Sequence, residues 1–425
     1  MSDSARTVAV EAVRRVTDGE AFSNLLLPSL LDRAGLSARD RALATELTYG
    51  TLRRLVPIDR ALSSLVRRPL DRATAPARAA LRLGAYQLLH TRIPAHAAVT
   101  ETVSLVPPRQ RAFVNAVLRR LAAEPPEPPR GPDDEEVAGR TGLAPWAVGE
   151  LRRLLGDEAE EAAAALASPG PLPLRTNTCR TTPERLARRL ADAGLDPQAG
   201  TLHPGMLHLG GGRPSDLPGF ADGWFAVQDE ASAWVVDVLG PERGDRVLDA
   251  CAAPGGKATD IACRAGAVIA ADVSPRRLGL VRRTADRLGV TARIVAQDTA
   301  RPALREGFDR ILVDAPCTGI GAARRRPELL WRPRRTDLSR LARLQVRIAL
   351  GAASLLAPGG ILVYSVCTFP RAETDAACDA LLDRAPDLRP DPFAGPDGTS
   401  TTRARLWPHR HGTDAMFVAR FRRSD

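Results

Sequence analysis

The chain has 425 residues, of which 44% are hydrophobic and 26% charged, a composition that excludes a disordered or fibrous protein and suggests two or three folded domains. No basic-then-apolar leader opens it and no apolar run approaches the roughly 18–20 residues of a membrane span, so a soluble, cytoplasmic protein is expected, with no membrane partner. The net charge is +10, and the six cysteines (179, 251, 263, 317, 367 and 378) contain no Cys-x-x-Cys pair, so the sequence indicates neither a metal site nor a dense disulfide framework.

Residues 4–123 read as consecutive amphipathic helices, because Ala9-Val10-x-x-Val13-x-x-Val16 and Leu81-x-Leu83-x-x-Tyr86-x-Leu88-Leu89 repeat at helical spacing. Residues 1–123 contain 19 arginines against 10 acidic residues, so +9 of the +10 charge lies there. A basic module beside a nearly neutral one fits polyanion docking, although solvated helix faces would explain the arginines equally well. Residues 124–132, Glu-Pro-Pro-Glu-Pro-Pro-Arg-Gly-Pro, cannot continue a helix and read as a semi-rigid linker. Residues 133–235 read as a connector, helical to 168 and then small and α+β, with a helix near 183–193. From 236 to the end, apolar strands at 246–249, 267–271, 293–296, 309–313 and 361–365 alternate with helices, which predicts βαβ units and a mostly parallel, Rossmann-like sheet.

The first of those strands runs into Asp249-Ala-Cys251-Ala252-Ala253-Pro254-Gly255-Gly256-Lys257. Ligands of doubly wound sheets bind beyond the carboxyl ends of the strands, where glycines let the backbone come close. Asp272 ends the second strand, 23 residues after Asp249, and Asp298 ends the third. Three strand-end acids with no phosphate-binding Gly-x-x-x-x-Gly-Lys-Ser/Thr point to a nucleoside without phosphates, namely S-adenosyl-L-methionine. Of the 60 basic residues only Lys257 is lysine, which singles out a compact ammonium that can lose its proton.

The fourth strand ends in Asp314-Ala-Pro-Cys317-Thr and the fifth in Tyr364-Ser-Val-Cys367-Thr. If these strands are neighbours, both thiols face one crevice beside the methyl donor. That arrangement suits methylation of cytosine C5: a thiolate adding to C6 makes C5 nucleophilic, and Asp314, protonated or sharing a proton, would hydrogen-bond N3. Cys179, Cys263 and Cys378 are expected to be inert core residues, and Cys251 to have a packing role within the cofactor loop.

These motifs resemble the Fmu/Sun-type ribosomal RNA 5-methylcytosine methyltransferases, the RsmB family, over essentially the whole chain. The resemblance implies cofactor contacts at Cys251 through Lys257, Asp272, Asp298 and Asp314, with Cys367 as nucleophile and Cys317 as the thiol that assists release. Tyr49-Gly-Thr-Leu-Arg53, Leu83-Gly-Ala-Tyr-Gln-Leu-Leu89 and Phe113-Val-Asn-Ala-Val-Leu-Arg-Arg120 are similar to a NusB-like, all-α RNA-binding domain. Leu174–Asn177, Gln228–Ser232 and Arg326–Trp331 are similar to segments that precede or line the RNA site. Val366 stands where many relatives have Thr, and Thr374 where Asn is common. The resemblance implies a 16S rRNA enzyme of the cytosine-967 C5 type acting on an extruded or single-stranded base. The catalytic residues alone would also suit tRNA, and a non-catalytic RNA-binding or antitermination-type factor is the rival from another class. The oligomeric state is left open, with a monomer expected.

Overall fold

The computed structural model describes residues 4–19 and 21–425. They form two compact units, one running to Ser168 and including Ala323–Pro333, the other comprising Pro169–Ala322 and Arg334–Asp425. Among the described residues no helix is long and apolar enough to cross a membrane.

The first unit is helical: α1 (Ala5–Thr17), α2 (Ser23–Arg33), α3 (Ala38–Arg53), α4 (Leu55–Ser63), α5 (Ala75–His90), α6 (Ala95–Ser104), α7 (Pro108–Ala123), α8 (Asp134–Thr141), α9 (Pro145–Leu155) and α10 (Ala159–Leu166). Its apolar stripes meet around α5, where Leu81, Leu83, Val114 and Leu118 are fully buried. Tyr86 lies so close to Gly50 that a Cβ there would stand 2.0 Å from the ring, so two segments of the NusB-like resemblance are fitted to each other. Residues 124–132 carry no helix or strand, and Arg140 holds them by donating to the carbonyls of Pro129 and Gly131. The segment Ala323–Pro333 is part of this unit's packing. Glu328, 0% exposed, accepts from Ser23 N (3.2 Å) and Oγ (2.6 Å), and Trp331 Nε1 donates to Leu52 O (3.0 Å).

The second unit begins with a four-stranded antiparallel sheet, β1 (Leu172–Thr176), β2 (Gln198–Ala199), β3 (Met206–Leu209) and β4 (Phe225–Val227), ordered β2-β3-β1-β4 and covered by α11 (Pro183–Asp192). The expected connector is thus shared out: its helices up to Leu166 pack in the first unit, and its strands with α11 in the second. After α12 (Glu230–Leu239) the chain builds β5 (Val247–Asp249), α13 (Gly256–Ala265), β6 (Val268–Asp272), α14 (Pro275–Leu288), β7 (Ala292–Ala296), β8 (Phe308–Asp314), α15 (Arg335–Ala353), β9 (Leu356–Val366), α16 (Asp375–Leu382), β10 (Leu388–Pro390), a β11–β12 hairpin (Phe393–Ala394, Ser400–Thr401), β13 (Arg403–Leu406) and β14 (Met416–Arg423).

The large sheet has the order β10-β14-β9-β8-β5-β6-β7, parallel from β9 to β7, with β14 antiparallel to β9 and β10 and β13 antiparallel to β14. Both faces are covered: α12, α13 and α14 pack with Val247, Leu312 and Val363, while α15 and α16 pack with Leu248, Ile311, Val313 and Leu362. Burial on both faces explains why these strands read as continuous apolar runs. The sequence reading found the five parallel strands but not β14. The chain runs outward from β5 through β6 to β7 and then returns to β8, so the strand order reverses between β5 and β8. In open α/β sheets, that is where ligands bind.

Candidate active site

Every residue of this site belongs to the second unit. At the end of β5, Asp249 is 1% exposed, and burial together with the nearby Asp314 charge pushes its carboxyl up to about 7. The loop that follows is held by backbone bonds: Ala252 N donates to Ala271 O (2.8 Å) and Ala253 N to Asp272 Oδ2 (3.4 Å), ahead of a cis Ala253–Pro254 peptide. Gly255 starts α13 at φ 112°, a left-handed conformation natural to glycine, and a Cβ there would meet the Val281 backbone at 3.0 Å. The Cys251 thiol is pushed up by burial and the surrounding carboxylates, as expected of a packing residue rather than a reactive one.

Asp272, 2% exposed, accepts from Ser274 N (2.9 Å) and pairs with Arg277 (3.2 Å), whose Nη2 also donates to Ala253 O (2.7 Å). Asp298 lies two residues beyond β7, exposed, and accepts from Ala300 N (3.0 Å). The carboxyl edge therefore presents three acids on adjacent strands. The cations beside the loop, Lys257 and Arg277, are already paired with Asp314 and Asp272, so this donor set suits ribose hydroxyls better than phosphates.

Lys257 Nζ donates to Asp314 Oδ2 at 2.8 Å and to Ser232 Oγ at 3.3 Å, and Ser365 Oγ donates to Asp314 Oδ1 at 2.9 Å. Burial acts to lower the ammonium's pKa, but Asp314 and the charges of Cys367 and Asp249 outweigh it and raise it. Deprotonation of Lys257, one of two reasons for singling it out, is thereby disfavoured, and its compact shape remains.

β8 and β9 are parallel neighbours with Asp314 opposite Ser365, and the loops that leave them bring Cys317 Sγ and Cys367 Sγ to 3.5 Å. The hydrogen bond to Cys367, then burial, raises the Cys317 thiol well above its ordinary value. Cys317 therefore holds its proton more firmly than an ordinary thiol, and either sulfur can donate in its contact with Cys367.

One residue absent from the sequence reading ties the two loops together. Glu373, 0% exposed, accepts from Thr318 N (2.9 Å), Thr318 Oγ1 (2.6 Å), Gln345 Nε2 (2.9 Å) and Thr368 Oγ1 (3.3 Å). Thr318 and Thr368 directly follow the two cysteines, so one carboxylate fixes both. Burial raises its pKa and these hydrogen bonds pull it back. A buried carboxylate with four donors is satisfied, whereas the same group without them would be costly.

The segments expected near the RNA have bracing contacts. Arg175 Nε donates to Gln228 Oε1 (2.7 Å), and its guanidinium pairs with Asp260 of α13 (3.3 Å). Val366 is buried in β9, and Thr374 Oγ1 donates to Pro370 O (3.1 Å). The expectation for Cys179 and Cys263 is corrected: Cys179 is exposed and forms a disulfide with Cys263, with Cα atoms 5.8 Å apart across 84 residues. Cys378 is buried, its thiol pushed up to about 12 by burial. Among the described residues no cluster of three or more metal-ligating side chains occurs.

Residues 236–422 match the family described as 16S rRNA methyltransferase RsmB/F, residues 3–123 the NusB family, and residues 144–215 the RsmF/B-like ferredoxin-like domain. A probable ribosomal RNA small subunit methyltransferase B of Bacillus subtilis is 34% identical, over 99% of both chains. The ribosomal RNA small subunit methyltransferase B of Klebsiella pneumoniae is 34% identical over 90% of both. The crystal structure of PH0851 superposes with a TM-score of 0.86 at 25% identity, covering 99% of both chains.

Proposed function

The chain belongs to the RsmB/F family of 16S rRNA methyltransferases, and on that premise we propose that it methylates C5 of a cytosine in 16S rRNA with S-adenosylmethionine as donor and Cys367 as nucleophile. The observation that carries this reading is the Cys317–Cys367 contact of 3.5 Å beside the Lys257–Asp314 pair.

The loop from Cys251 to Lys257 with Asp272 and Asp298 would hold the donor, which supplies an electrophilic methyl group. The Cys367 thiolate adds to C6 of the base, and the electron pair released to C5 attacks that methyl. Asp314 meets the base edge at N3, and the Lys257 ammonium held on its Oδ2 offsets charge as it develops there. Release requires loss of the C5 proton and return of the electrons of the C6–S bond to sulfur. Cys317 passes its own proton to the departing Cys367 sulfur and takes the C5 proton, and Cys367 then loses a proton to solvent before it adds to the next base. The basic helical module, with +9 of the charge, supports an RNA-docking role and favours rRNA over tRNA.

The test is methyl transfer from labelled donor to a 16S transcript, with bisulfite sequencing to locate the product. A new 5-methylcytosine, with cytosine 967 the first position to inspect, is expected. Methyl transfer to another atom or base would overturn the reading.

A further inference from the structure

In the helical unit, the loop between α4 and α5 and the first three turns of α7 line a cavity of about 560 Å³ with an apolar floor that includes Leu70 and Val117. The methyl-transfer chemistry makes no use of it. Ligand pockets fall between roughly 300 and 1,000 Å³, so this volume suits one nucleotide.

Three features of its wall point to one kind of occupant. Phe113 lines it and is 43% exposed, although Val114, Val117, Leu118 and Leu121 of the same helix are buried. Gln110 also lines it and is only 9% exposed, yet its Oε1 has no donor. Buried amide oxygens are rarely left in that condition. Arg67, Arg68, Arg72 and Arg109 complete the wall, all exposed, and among the described residues their guanidinium groups have neither hydrogen bonds nor ion pairs. Elsewhere in the same unit Arg78 and Arg82 are spent on Asp18 and Asp59. Of the residues lining the cavity none is acidic.

We propose that this cavity receives an unstacked nucleobase of the RNA, adenine by the match of its edge and its larger face, with Phe113 stacking on the ring, the Gln110 amide pairing with it and the four arginines holding the flanking phosphates. An amide offers an acceptor and a donor side by side, which complements the amino group and adjacent ring nitrogen of adenine or cytosine, and the purine presents the larger face to Phe113. Stacking on an aromatic side chain inside a positive groove is how single-stranded RNA is held. A peptide would fill the apolar floor but leave the arginines without the anionic backbone they face. The inference rests on the RNA-binding reading given above, and it adds a second point of attachment remote in sequence from the cysteines.

The experiment uses the full chain and fluorescein-labelled hexaribonucleotides, oligo(A) and oligo(U), read by anisotropy, with methyl transfer to 16S RNA followed on the same preparations. Phe113→Ala and Gln110→Leu should each weaken oligo(A) binding by about tenfold and leave oligo(U) nearly unchanged for Gln110→Leu. Each should raise KM for the 16S transcript while leaving kcat in place. Gln110→Leu keeps the volume and removes an orphaned acceptor, so its unfolding temperature should equal or exceed that of the parent, which separates lost binding from lost fold. Unchanged oligo(A) affinity in both variants, with methyl transfer intact in the parent, overturns the pocket and spares the methyltransferase reading. Equal weakening of oligo(A) and oligo(U) by Gln110→Leu overturns the assignment to adenine. Loss of oligo(A) binding in the variants of a protein that transfers no methyl group supports the pocket and counts against the activity.

Discussion

The loops that follow β8 and β9 are close to copies of each other, Pro-Cys317-Thr318 and Val-Cys367-Thr368, and differ in what surrounds the sulfur. Both threonines reach the same Glu373, so the backbones are held alike. Cys317 is raised well above an ordinary thiol by its hydrogen-bond contact with Cys367 and by burial, whereas Cys367 acts electrostatically on Lys257. Identical residues in matching loops thus acquire different chemistry from their neighbours. A thiol that keeps its proton suits release, and its partner suits attack.

The largest expected effect comes from Cys367→Ala, which should abolish turnover, a loss of about a thousandfold or more, while RNA and donor still bind. Residual turnover within tenfold of the parent would remove the asymmetry between the loops. Lys257→Arg should fold and lose roughly a hundredfold in rate, because a planar guanidinium cannot replace the ammonium held between Asp314 and Ser232. A near-normal rate would make the lone lysine incidental to the pair.

Glu373→Gln tests whether the loops share one anchor. The amide oxygen could keep the Thr318 N–H and Gln345 as donors only with its N–H₂ facing the Thr318 and Thr368 hydroxyls, which must turn to accept, and the charge is lost, at a cost of about 1–3 kcal/mol in unfolding measurements. Alkylation rates of both thiols should change together, while Thr318→Ala should disturb chiefly Cys317. A change confined to one thiol in Glu373→Gln would separate the loops.

The pH dependence of alkylation sharpens the contrast further. A raised pKa means less thiolate at any given pH, so at about pH 8.5 iodoacetamide should spare Cys251, Cys317 and Cys378 and modify Cys367 first among the four unpaired cysteines. Cys317 should react only as the pH climbs well past the ordinary thiol range. Mass spectrometry of peptides reads this directly, and early modification of Cys317 would reverse the assignment. The smallest effect lies in the helical unit, where replacing Arg67 and Arg68 by Gln should weaken RNA binding several-fold and shallow its salt dependence without touching either thiol. Charge substitution is a cleaner test than deleting residues 1–123, because Glu328 and Trp331 would lose Ser23 and Leu52 as partners.

Much of this site was legible in the sequence because it depends on local order. An apolar strand ending in an acid and then a glycine turn marks the sheet's carboxyl edge, and Asp249, Asp272, Asp314 and both cysteines lie at or just past such ends. What escaped depends on distant partners. Glu373 looks like an ordinary loop acid until its four donors, drawn from three other segments, are known. Cys179 and Cys263 are 84 residues apart, and nothing local marks them as a pair. β14 closes the sheet antiparallel to β9, but Arg420, Arg422 and Arg423 make it read as a charged tail. The segment Arg326–Trp331, similar to segments that precede or line the RNA site, spends Glu328 and Trp331 on helix packing.

The division of labour between the thiols is tested most directly by looking for a protein–RNA complex that survives denaturant. Cys317→Ala retains the nucleophile and loses the group that assists release, so incubation with RNA and S-adenosylmethionine should accumulate a covalent complex on a denaturing gel. Cys367→Ala and the double variant should give none. A complex trapped by Cys367→Ala and absent from Cys317→Ala would contradict the account and exchange the roles of the two loops.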